Sequence, residues 1–269
     1  MTRGNRTRRA SLLCAVACLS IGCDTWTVPF DYAINLGTFP HDPALKVPDD
    51  TRRVVVLRHG LSRSAASLWK LDRALRDHGY RTFNTSYDST SGSIEGHAAQ
   101  LHVELEDFLQ HLPGPEEPLQ IFFVGHSMGG LQIRQYLTLE GARTPDACLF
   151  LGTPHRGAAL LAKRKGWWLF KTLMREQAAL QLEVGHPFYD GLGVLQCDFG
   201  VIYGGYGDGV GRNADVPGDD DGTVSVEEAQ LPGAVDSIRL PLSHMWLTID
   251  DSAIHQVLAF LRHRRFDHR

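Results

Sequence analysis

Residues 119–130 read LQIFFVGHSMGG, an apolar run that ends on a serine set between glycines. A continuous apolar stretch of this length, bounded by turn-forming residues, predicts a strand buried on both faces of a sheet. The segment from Met128 to Leu139 predicts a helix. Between them the chain must turn sharply, and glycine folds where a side chain would not fit. Gly-x-Ser-x-Gly alone is weak, since chance supplies it in roughly one such chain in seven. The strand before it and the helix after it make it specific. Such a corner presents a serine hydroxyl, here Ser127, as a nucleophile.

Working outward from this corner, short apolar runs recur at 54–57, 147–151, 200–203 and 237–240, and Arg81–Tyr87 also reads as a strand. Helical spacing separates them. Leu68, Leu71 and Leu75 mark one amphipathic stripe, closed by Gly79; Ile94, Ala98, Leu101, Leu105 and Phe108 mark another. Ile254, Val257, Leu258 and Leu261 form a last helix, with Asp250, Asp251 and Ser252 as candidate caps. Strand and helix in alternation predict an α/β fold with a parallel sheet covered on both faces. In such sheets reactive residues gather beyond the carboxyl ends of the strands, which is where Ser127 falls.

A serine hydroxyl needs a base within hydrogen-bond reach. Of thirteen histidines, His244 alone lies in the loop between the last strand and the last helix. His255 falls inside that helix, and His263 and His268 in the terminal tail. His59 and His126 flank motif positions and read as packing and turn residues. The imidazole in turn needs a carboxylate to hold its tautomer. Asp219, Asp220 and Asp221 follow the strand at 200–203. Asp221, just before Gly222 and the apolar Val224, is the preferred acid, with Asp220 second. The run lacks the alternating ligands of an EF-hand loop, so no metal site is expected there. The oxyanion formed during acyl transfer calls for two backbone N–H donors. Met128, after the nucleophile, supplies one and Leu61, in the loop after the strand 54–57, the other.

The order Ser127, Asp221, His244 resembles that of the α/β-hydrolase family, and in particular of its bacterial lipases and esterases. The resemblance runs from Arg53 to Arg262. It rests on HGL (59–61), GHSMGG (125–130), LGTPHRG (151–157), DDGTVS (220–225) and SH (243–244). It implies a mostly parallel central sheet with helices on both faces and a small helical cap at 156–192, within a catalytic domain at 53–265. It also implies a serine hydrolase that cleaves carboxylic esters of lipid or acyl type through an acyl-enzyme, without cofactor or metal. A thioesterase or acyltransferase would use the same intermediate, and a noncatalytic binding module would use the same fold. Two features depart from the pattern. Arg58 stands where these proteins carry an apolar residue before His-Gly, which places a guanidinium near the mouth of the site. The segment 156–192 is short for a lipase lid.

The N-terminus stands apart from the domain. Met1–Arg9 carries four arginines and no acid, and Ala10–Gly22 is apolar or small and uncharged. That is the pattern of a secretory signal, too short to span a bilayer. Leu19–Cys23 resembles a bacterial lipoprotein box, which implies lipidation of Cys23, a tether at 23–52, and attachment to a membrane facing the periplasm or exterior. Secretion without an anchor is the alternative. Loss of residues 1–22 would lower the net charge from −4 to −8, which argues against nucleic acid as a partner. Cys14 and Cys18 would leave with the signal, and Cys148 and Cys197 are too few for a disulfide framework. Cys148 reads as a core thiol. Finally, KRKGWWLF (163–170) combines three cations with three aromatic rings. It reads either as a lipid-interface patch or as one face of a cap helix.

Overall fold

Successive residues of a strand point to opposite faces, and here both sets are apolar, so both faces must be covered. The computed structural model describes residues 51–112, 119–164 and 177–269. Six strands form one sheet: β1 (Arg53–Arg58), β2 (Arg81–Asn84), β3 (Gln120–His126), β4 (Ala147–Leu151), β5 (Phe199–Gly204) and β6 (Asp236–Leu240). All are parallel, in the order β2-β1-β3-β4-β5-β6. The helices are α1 (Trp69–Asp77), α2 (Ile94–Gln110), α3 (Met128–Tyr136), α4 (Ala159–Arg164), α5 (Gln177–Leu180), α6 (Val226–Ala229) and α7 (Asp251–His263).

The two faces are filled by alternate residues of the same strands. Val55, Leu57, Phe122 and Val124 pack with Leu71 and Leu75 of α1 and with Val257 and Phe260 of α7. Val54, Val56 and Phe123 pack with Ala98, Leu101 and Leu105 of α2 and with Ile133 and Tyr136 of α3. A third cluster joins Met128 and Leu131 of α3 to Ala178, Leu182, Phe188 and Leu192, which lie in the predicted cap region. This region is tied down by Gln181, whose Oε1 accepts the Ile94 N–H at 2.8 Å and whose Nε2 donates to Glu95 at 2.6 Å.

From β1 the chain moves out to β2 and then returns to the other side of β1 as β3. The crevice between the ends of β1 and β3 is therefore the switch point at which open α/β sheets bind ligands.

Several boundaries differ from the sequence expectation. The strand read as Arg81–Tyr87 ends at Asn84, because the Tyr87 N–H turns to donate to His59 Nε2 at 3.3 Å instead of to a neighbouring strand. The helix expected to reach Leu139 ends at Tyr136. There the Thr138 hydroxyl and N–H both donate to the Gln135 carbonyl, which a longer helix would need for Leu139. His263 closes α7 and is not part of the tail. Among the three candidate caps of α7, Asp250 does the capping, its carboxylate accepting the Ser252 N–H at 2.8 Å.

Arg58 is the larger correction. It is fully buried beneath the second face of the sheet and not at the mouth of the site. Its Nε donates to Gln132 at 3.1 Å, its Nη1 donates to Thr85 at 3.2 Å, and the guanidinium lies 4.2 Å from the centre of the Tyr87 ring. Burial pulls its pKa down, and Tyr87 and Glu104 partly restore it.

Cys23 and most of the 163–170 patch lie outside the described residues. No helix among the described residues is long and apolar enough to cross a membrane.

Candidate active site

Ser127 sits between β3 and α3 with φ 54° and ψ −129°, a backbone conformation that residues with a side chain rarely hold. Its surroundings keep it there. The Ser127 N–H donates to Leu151 O on β4 at 2.9 Å, and its carbonyl accepts the Gly130 N–H at 3.0 Å. The glycine after the corner is required by close approach. A Cβ on Gly129 would fall 2.6 Å from the carbonyl oxygen of His59, that is, into the backbone following β1. Gly129→Ala should therefore push α3 off the sheet and cost about 1–3 kcal/mol or more of stability. Urea unfolding monitored by circular dichroism checks this, and an unchanged midpoint would contradict it.

His244 follows β6, and Asp221 lies in the loop after β5. Their side chains meet: His244 Nδ1–H donates to Asp221 Oδ2 at 2.7 Å, with both groups nearly excluded from solvent. The other oxygen, Oδ1, accepts the backbone N–H groups of Thr223 at 2.9 Å and Val224 at 2.8 Å. The backbone reinforces the pairing, since the His244 N–H donates to the Asp221 carbonyl at 2.8 Å. With Nδ1 carrying the proton, His244 Nε2 holds a lone pair. Both His244 and Ser127 line one pocket.

Asp220 has a different place. It faces its own loop, accepting from Gly222 N–H at 2.6 Å and Asn213 N–H at 3.2 Å, and burial pushes its carboxyl above the ordinary range.

The loop after β1 brings Leu61 against the same pocket. Gly60 packs so closely that a Cβ there would lie 2.9 Å from Ser127 Cβ. His59 fixes the orientation of this loop. Its Nδ1–H donates to the Gly60 carbonyl at 3.0 Å, and its Nε2 accepts the Tyr87 N–H. The Tyr87 hydroxyl donates to the His59 carbonyl at 2.7 Å, and the two rings stack at 4.1 Å. In a planar trans peptide, C=O and N–H point in opposite directions. Holding the Gly60 carbonyl toward His59 therefore turns the Leu61 N–H the other way. Burial pushes His59 down to about 3, so it stays neutral and keeps this arrangement. Met128 is the first residue of α3, where the N–H groups have no partner within the helix.

His126 does more than pack. Its Nε2–H donates to the His244 carbonyl at 2.9 Å, and the two rings lie 4.6 Å apart. Burial and the charge of His244 hold its pKa well below the ordinary histidine value.

Two further positions were not singled out from the sequence. Gly152, with φ 54°, lies where a Cβ would come within 3.0 Å of His244 Nδ1 and 3.1 Å of Asp221 Oδ2. Glu228 ties the loop that carries Asp221 to the start of α4. One of its oxygens accepts the Ala159 N–H at 2.6 Å, the other accepts the Ser225 N–H at 2.8 Å, and its carbonyl accepts from His155. The signal for it was present as the capping box Ser225-x-x-Glu228.

The pocket is a narrow cavity of about 70 Å³, and Leu61, Pro154, Leu160, Leu161, Leu182 and Met245 make most of its wall apolar. Among the described residues no cluster of three or more His, Cys, Asp or Glu could hold a metal ion.

A model of the alpha/beta hydrolase family matches residues 54–266. No match to a curated protein is found. Among solved structures, the mature lipase BlEst2 of Bacillus licheniformis is 20% identical with a TM-score of 0.61, over 80% of this chain and 93% of that one. The Pyrococcus furiosus esterase Pf2001 is 15% identical with a TM-score of 0.55, over 80% of this chain and 84% of its own. The product of the gene lin2722 of Listeria innocua is 16% identical with a TM-score of 0.54, over 81% of this chain and 100% of its own. At these identities the likeness is one of fold. The family match spans the sheet, its helices and every residue of the pocket wall described above, and the chain belongs to the α/β-hydrolase family.

Proposed function

We propose that the protein is a serine hydrolase that cleaves carboxylic esters with an apolar acyl group. Ser127 is the nucleophile, His244 the general base, Asp221 its orienting acid, and the Leu61 and Met128 N–H groups form the oxyanion hole. The observation that carries this reading is the hydrogen bond of Asp221 to His244, which stands in the wall of the apolar pocket that also holds Ser127 on its strained corner. In the reaction, His244 Nε2 takes the Ser127 proton as Oγ attacks the ester carbonyl. Asp221 stabilises the imidazolium, and the two N–H groups receive the charge on the carbonyl oxygen. The imidazolium then gives its proton to the leaving alcohol. Water, activated by the same base, releases the acid.

An apolar acyl site makes a quantitative demand. Each buried methylene contributes about 0.8 kcal/mol, or about fourfold in kcat/KM until the pocket is full. Hydrolysis of p-nitrophenyl esters should therefore accelerate from acetate through butyrate to hexanoate. A flat or falling series would remove the acyl assignment, and no turnover of any member would remove the esterase reading.

The chain is also proposed to be lipid-anchored through Cys23, on the strength of the basic leader, the apolar stretch and the Gly22-Cys23 junction. Cys23→Ser should move the protein from the membrane to the aqueous fraction of a Gram-negative host. Membrane retention of that variant would refute the anchor.

A further inference from the structure

We propose that Cys148 and Cys197 form a disulfide under oxidising conditions, with Cys197 as the residue that meets the oxidant. The two sulfurs lie 3.6 Å apart, within hydrogen-bond reach of each other. Cys148 is on β4, within the core, and has no exposed surface. Its register partner on β5 is Phe199, and its N–H donates to the Asp198 carbonyl at 2.9 Å. Cys197, two residues before Phe199, packs against the same cluster that holds Cys148 and Phe199. Bonding brings the sulfurs to about 2.05 Å. Cys197 lies in the bend before β5 and outside the ladder, which leaves it free to make that movement.

Access is one-sided. Cys197 is half-buried and lines a surface cavity with Leu137, Thr138, Val194, Leu195 and Gln196. The hydrogen bond with Cys148 lowers the Cys197 pKa, while burial raises that of Cys148. A small disulfide such as oxidised glutathione therefore reacts first at Cys197. The Cys197 thiolate attacks one sulfur of the oxidant and expels one glutathione thiolate. Cys148 then gives up its proton and attacks Cys197 Sγ, expelling the second glutathione. Two protein thiols and one small disulfide become one protein disulfide and two small thiols.

The bridge would close the stretch that carries LGTPHRG and the whole of the predicted cap region. It is independent of the catalytic reading, because neither sulfur belongs to the pocket containing Ser127.

The test uses the full chain, treated with oxidised glutathione, quenched with iodoacetamide and digested with trypsin without reduction. Peptides 144–156 and 176–212 should be recovered as one species, lighter than their sum by two hydrogens. The thermal midpoint of the treated protein should rise by roughly 5–10 °C and return on reduction. Recovery of both peptides alkylated, or a lasting glutathione adduct on Cys197, would overturn the proposal. In Cys148→Ala that adduct should accumulate, since no second thiol resolves it. In Cys197→Ser, Cys148 should remain unmodified, and glutathione on Cys148 would overturn the assigned order of attack.

Discussion

Ser127→Ala is expected to lower ester hydrolysis by about 10⁶-fold, the loss seen when a triad nucleophile is removed from a serine hydrolase. The folded protein should remain. The corner is held by main-chain bonds that alanine keeps: its N–H to Leu151 O and its carbonyl from Gly130 N–H. Alanine also holds the unusual φ and ψ no worse than serine does, because both carry a Cβ. The change therefore removes one oxygen and leaves the pocket, the His244–Asp221 pair and the Leu61 and Met128 N–H groups in place. A thermal midpoint within a few degrees of wild type, with no labelling by a fluorophosphonate, is the expected signature. Turnover within tenfold of wild type would mean that another group attacks the ester, and the nucleophile would have to be sought again.

What could be read from the sequence follows from how local each signal is. Both faces of β1 and β3 are apolar, so the runs at 54–57 and 119–124 announced buried parallel strands without any long-range information. The corner at Ser127 was legible for the same reason, since its strand, its glycines and its helix are contiguous. Chain order alone singled out His244, and the structure sets it against Asp221. The rest depended on orientation, which spacing does not encode. Arg58 ends a strand beside the loop that carries Leu61, yet its side chain leaves on the α2 and α3 side and is spent on Gln132, Thr85 and Tyr87. Tyr87 looked like the end of a strand because its strand-forming character serves packing against His59 instead. Glu228 was written as a capping box, but that its carboxylate also reaches Ala159 at the start of α4 is a contact across 69 residues. Asp220 and Asp221 are adjacent and chemically identical, and only the fold of the loop separates them.

That separation makes the second large effect. Asp221→Asn should cut kcat/KM by roughly 10⁴-fold with little change in stability, following the precedent of the same substitution in a serine protease. The geometry gives the reason. Asp221 Oδ1 accepts two backbone N–H groups, from Thr223 and Val224, and in the variant those donors hold the amide oxygen on their side. The amide NH₂ is then turned toward His244 Nδ1. Two donors cannot share that contact, so the imidazole must place its lone pair on Nδ1 and its proton on Nε2. In that tautomer it cannot accept a proton from Ser127. The opposite amide orientation would keep the histidine correct but would set NH₂ against two N–H groups, which is worse. Asp220→Asn is the control one residue away. Its oxygens serve Gly222 and Asn213 within the loop, so the variant should lose about 1 kcal/mol of stability and keep activity within about tenfold of wild type. Steady-state kinetics with a p-nitrophenyl ester, paired with thermal unfolding of both variants, decides the matter. If Asp220→Asn is the crippled enzyme and Asp221→Asn the active one, the hydrogen bond between His244 and Asp221 does not serve catalysis and the acid has been assigned to the wrong neighbour.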